Sequence, residues 1–216
     1  MQNRQEIWDL LNSEIQRWYP NLVAHYTTPA PDLDLPIAIC EFFENIPSND
    51  TIWSVQDRLL KPDHFFTENG HRVFYQENQN VTCWGYAEKS REKDPPVFLR
   101  SPDTPQKWML DAPRLSLFFL RTFYQNLKFA AHLPCLVGYA NPLFRNWLWQ
   151  NFPELPFGRC QWPGFPSVLL TGKDLVIEFE EANEDEGYVY LTAQTQVCFQ
   201  ECLAWSRRFG FVPDNN

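Results

Sequence analysis

The sequence predicts an α+β fold: a mostly antiparallel sheet of about six or seven strands with helices packed around it. Three observations lead there. Apolar residues recur at three-and-four spacing in several stretches, as one face of a helix requires. Short segments rich in Val, Phe, Tyr and Trp lie between turn residues, as strands of hairpins do. An apolar fraction of 44% with 16% aromatics is far too rich for a disordered chain.

Over 4–18, Ile7, Leu10, Leu11, Ile15 and Trp18 mark an amphipathic helix. The prolines between 20 and 36 favour extended or turn backbone. A second helix is expected from Pro36 through Phe43, ending near Pro47, and a short helical turn over 54–60. Asn69-Gly70 signals a turn. Strands at 71–76 and 81–86 are joined by the polar Glu77-Asn78-Gln79-Asn80, and 97–100 and 107–110 complete a four-stranded meander around the turn 101–105.

Pro113 opens the longest helix, with Leu115, Phe118, Phe119, Phe123, Leu127 and Ala130 on one stripe before Pro134. It is expected to cover one face of the sheet. The segment 138–166 is irregular, with a helical turn near 144–149. A second hairpin is expected at 168–170 and 175–179, then a strand at 188–191. A closing helix capped by Thr195 would turn Val197, Cys198, Cys202, Trp205 and Phe209 inward. The 216 residues fit one α+β domain, 1–216, and size scaling buries roughly 70% of the unfolded surface.

No apolar run approaches a membrane span, and the first residues lack the basic-then-apolar pattern of a signal peptide, so a cytoplasmic location is expected. The six cysteines lie mostly in apolar stretches, which suits reduced core thiols. A net charge of −9 disfavours nucleic acid and anionic lipid as partners and favours a basic protein.

Reactive constellations are scarce. The eight glycines form no phosphate-binding cluster, no Gly-x-Ser-x-Gly elbow occurs, and the four histidines are scattered. No cofactor and no catalytic residue is expected. Cys198 and Cys202 share a helical face, which is compatible with part of a metal site, but no second ligand pair lies nearby in sequence and buried thiols are the expectation. Asp174, Glu178 and Glu180 have the look of nuclease metal carboxylates, a reading weakened by Glu180 standing where a lysine is wanted. Glu178, Glu180, Glu181, Glu184, Asp185 and Glu186 form an acidic run without a base. It is a solvated loop that can also serve as a docking patch for a basic partner.

The Leu35-Pro36-Ile-Ala-Ile-Cys-Glu41-Phe42-Phe43 helix, the stretch from Val73 through Glu77-Asn78-Gln79-Asn80 to Trp84-Gly85, Pro95-Pro96-Val97, Trp108 and Ala112-Pro113-Arg114-Leu115-Ser116 resemble the SUKH superfamily. That group includes Syd and the fungal cell-wall assembly regulators. The resemblance is clearest over 8–131. Asn80 stands where the family often has Gly, and 138–166 has no counterpart in it. The resemblance implies a protein-binding domain without catalytic residues, commonly an immunity protein that blocks a nuclease or deaminase toxin. The alternative it offers is a regulatory scaffold of the cell-wall-regulator type.

Overall fold

The computed structural model describes residues 3–30, 33–101, 107–160, 166–182 and 186–214. The chain divides into two compact units, Met1–Asn126 and Leu127–Asn216. Each has its own antiparallel sheet, of six and five strands. The α+β class holds, with the strands divided between two sheets rather than gathered in one. Among the described residues, no helix is long and apolar enough to cross a membrane.

In the first unit, helices α1 (Arg4–Trp18), α2 (Ile37–Asn45) and α3 (Asp50–Trp53) precede the strands β1 (Arg58–Leu59), β2 (Phe66–Glu68), β3 (His71–Gln76), β4 (Cys83–Ala87), β5 (Val97–Arg100) and β6 (Trp108–Ala112), and α4 (Leu115–Asn126) follows. Asn3 and Glu6 cap α1 reciprocally. That helix buries Ile7, Trp8, Leu11, Ile15 and Trp18, so Trp8 takes the inward place expected of Leu10. The sheet runs β1-β3-β4-β5-β6, with β2 also on β3. The predicted meander is therefore present, and of its predicted turn 101–105 residues 102–105 lie outside the described residues. The stretch 54–60 is not helical: α3 lies just before it, and Arg58 and Leu59 pair with β3.

Two turns set the register. Asn69 and Gly70 both have positive φ, 47° and 75°, as a two-residue hairpin connection needs, and they join β2 to β3. Between β3 and β4 the buried Glu77 carboxylate accepts from the backbone N–H of Gln79 at 2.9 Å and Val81 at 3.3 Å. Asn80 adopts the left-handed conformation there, φ 63°. A bulge between Val73 and Tyr75 breaks the alternation, so that Phe74 and Tyr75 both reach Phe118 of α4, at 5.3 and 5.7 Å between ring centroids.

The core of this unit is aromatic. Phe42 stacks on Phe119 at 3.7 Å, and Trp8, Trp53 and Phe74 pack around the pair. Trp53 donates its indole N–H to the Pro47 carbonyl at 2.6 Å. Arg121 on α4 forms a buried ion pair with Asp111 and also donates to its backbone carbonyl at 3.1 Å. A pair this buried fixes the seating of α4 on β6 more than it adds net stability.

The second unit comprises β7 (Cys135–Ala140), α5 (Pro142–Asn151), β8 (Ser167–Thr171), β9 (Leu175–Glu181), β10 (Gly187–Ala193), α6 (Gln196–Arg208) and β11 (Val212–Pro213), in the sheet order β11-β7-β10-β9-β8. The expected irregularity of 138–166 gives way at its start: β7 and a full helix α5, capped by Asn141 with proline in its first turn, occupy 135–151. One sheet face supplies Leu136, Leu170, Ile177, Phe179, Val189 and Leu191 to a core closed by Phe144, Leu148, Cys202 and Phe211. Thr195 caps α6 as predicted. Val197, expected to face inward, is 71% exposed because the first turn of α6 lies beyond the sheet-facing stripe. Gly138 lets β11 approach: a Cβ there would lie 2.1 Å from the Val212 carbonyl oxygen.

Phe119→Ala removes the ring on which Phe42 stacks and should lower the unfolding free energy by about 3–5 kcal/mol in urea titrations. Leu110→Ala, at an exposed position of β6, should stay within about 0.5 kcal/mol of the parent in the same measurement.

Candidate protein-binding surface

Strict alternation along β9 sends Ile177 and Phe179 into the core and Val176, Glu178 and Glu180 to the opposite face. Glu178 is only 4% exposed. Its carboxylate accepts from the Ser167 hydroxyl at 2.9 Å and from the Lys128 ammonium at 2.7 Å. Glu180, two residues on and facing the same way, reaches the same ammonium at 3.4 Å. Lys128 comes from a 3-10 turn, Leu127–Phe129, and its Nζ also lies 4.1 Å from the centroid of the Tyr190 ring.

Burial works against the Lys128 ammonium, but the charges of Glu178 and Glu180 outweigh it and hold its pKa above the ordinary lysine range. Burial lifts Glu180 above the usual carboxylate range. Lys128 pulls it down, Glu178 pushes it up, and burial prevails.

The cross-strand register turns the same face into a row. Val212 opposes Tyr139, Tyr139 opposes Tyr188, Tyr188 opposes Glu180, and Glu180 opposes Ser167. The end of this row at the β11 edge is open: Tyr139 is 60% exposed and Val212 62%. Tyr139 and Tyr188 meet edge to face at 4.9 Å, and Tyr190 packs edge to face on Tyr188 at 5.3 Å. The Tyr188 hydroxyl donates to the exposed Asp214 carboxylate, which keeps that phenol protonated well above its ordinary range.

The predicted acidic run is thus divided. Glu178 is buried and ion-paired, which removes it from any docking patch; Glu180 is half-buried at the inner end of the tyrosine row; Glu181 pairs with Arg159 at 3.0 Å. Glu186 is exposed and its carbonyl accepts from Ala182 at the mouth of the β9–β10 hairpin. Glu184 and Asp185 lie outside the described residues. Asp174 sits in the turn before β9, roughly 13 Å along the strand from Glu178. The three carboxylates of the nuclease reading therefore do not converge, and the lysine missing from the motif comes from elsewhere in the chain and closes the Glu178–Glu180 pair. Among the described residues, no group of three or more His, Cys, Asp or Glu could hold a metal ion.

Lys128 and the tyrosines were not among the residues singled out in the sequence. The alternation Tyr188, Tyr190, Thr192 carries a signal for a polar-aromatic face; nothing local ties Lys128 to Glu178. No protein family, curated protein or solved structure matches the chain.

Lys128→Met leaves Glu178 and Glu180 buried without a countercharge and should destabilise the chain by about 3–5 kcal/mol in urea titrations. Glu180 holds its proton more tightly folded than unfolded, so it costs stability as pH rises from the ordinary glutamate value, about 4.3, through its raised pKa. Glu180→Gln should therefore raise the urea midpoint relative to the parent at about pH 7, with the difference shrinking toward about pH 4.

Proposed function

We propose that this chain is a non-enzymatic protein-binding domain of the immunity type, which neutralises a basic toxin domain by covering it. The observation that carries the reading is the open tyrosine row, Val212–Tyr139–Tyr188, set in a paired sheet and bordered by Asp214, Glu180 and Glu186. Tyrosines in a sheet offer large, rigid contact area with few side-chain torsions to freeze, which is why such residues dominate protein interfaces. Their ring faces and the flanking carboxylates suit lysine and arginine side chains. Lys128 lying over Tyr190 is an internal instance of the same contact. The net charge of −9 adds long-range attraction for a basic surface and a faster encounter. The resemblance of the first unit to the SUKH superfamily points the same way.

The test is equilibrium binding of the purified chain to the protein encoded by the neighbouring reading frame, with single substitutions on the row. Tyr139→Ala and Tyr188→Ala should each weaken binding by about tenfold or more, roughly 1.4 kcal/mol. Raising the salt from about 0.05 to 0.5 M should slow association more than it speeds dissociation. No binding, or tight binding indifferent to both substitutions, overturns the proposal.

A further inference from the structure

A cavity of about 380 Å³ opens in the second unit between the Gly172–Leu175 turn and the first turns of α6. Cys198 and Cys202 line it, one helical turn apart, with Lys173, Asp174, Glu201 and Trp205 around them. Both thiols line this one cavity from the same face of α6, and Cys202 is buried. Cys198 is only half-buried, so the pair is reached from solvent through the cavity.

We infer that this pair is a binding site for a soft, two-coordinate monovalent cation, Cu(I) being the representative ion. The donor count selects the ion. A tetrahedral ion such as Zn²⁺ wants four ligands, and among the described residues no group of three or more His, Cys, Asp or Glu could hold a metal ion. Two sulfurs one helical turn apart in one cavity meet the whole requirement of an ion that prefers thiolates and is content with two. The surroundings fit a cation as well: Asp174 and Glu201 face the rim against the single Lys173.

On binding, the two S–H bonds break, two S–Cu bonds form and two protons leave to solvent, with no change in oxidation state.

The experiment is transfer of Cu(I) from a chromogenic chelator to the reduced full-length chain under anaerobic conditions, followed by absorbance. The chain should take one ion. Cys198→Ser and Cys202→Ser should each abolish the transfer, and Cys40→Ser, remote in sequence, should not. Circular dichroism establishes that the variants fold, and the half-buried Cys198 keeps the test sound should the change at Cys202 perturb packing. Absence of transfer, or transfer that survives both substitutions, overturns the inference.

Discussion

Glu178 occupies a position where an unpaired carboxylate would be costly by several kcal/mol, and the Lys128 ammonium is what makes the position tenable. Much of the second unit's chemistry follows from that contact. Lys128 has one charge for two carboxylates; Glu178 has the shorter contact and the Ser167 hydroxyl, while burial, with the repulsion of Glu178, leaves Glu180 with a raised pKa. Because β9 is in strict alternation, both acids share the face that carries the tyrosines. The same ammonium packs on Tyr190, which anchors the inner side of the aromatic cluster while its outer members stay open.

The fold was most legible where pattern and punctuation agree. Strand β3 and the Thr195 cap fall where sequence periodicity places them, because alternation, a helical stripe and an N-cap are all local signals. Asn80 in the left-handed conformation follows from residue chemistry alone. Strand β7 was not legible. Its residues Cys135, Gly138 and Ala140 are poor strand formers, and Gly138 is there for the close approach of β11, a contact 74 residues away in sequence. The bulge at Val73/Tyr75 hid in a run of apolar residues, where two consecutive inward side chains look the same as a buried strand. The division into two sheets is set by partner choice: β7 pairs with β10 and β11, and that is a long-range fact no window of sequence contains.

The site was legible only in part. Composition located the acidic run but not which of its members are buried, since the side on which Glu178 points depends on the register of β9 against β8 and β10. Two residues that face the same way were correctly paired by their spacing. The cation between them was invisible, because Lys128 lies 50 residues earlier, in a turn at the end of a helical stripe. The tyrosines were seen as strand formers. Their role as an exposed row appears once Tyr139 and Val212, from strands the sequence did not announce, line up beside Tyr188.

On the proposed function, the arrangement separates two jobs that a uniformly acidic loop would confuse. Charges at the rim of a surface act at a distance and are screened within about 8 Å at physiological salt, so they alter how fast a partner arrives more than how long it stays. Rigid aromatic side chains act only on contact, and they govern dissociation. Here one pleat row places Val212 and Tyr139 in the open, Tyr188 beside Asp214, and Glu180 at the inner end against Lys128. On the proposed function, attraction and retention therefore fall to neighbouring positions of a single sheet face. Glu178 and much of Glu180 are already spent on Lys128, so the proposed contact with a basic partner falls to the edge of the row, where Tyr139 and Val212 are exposed.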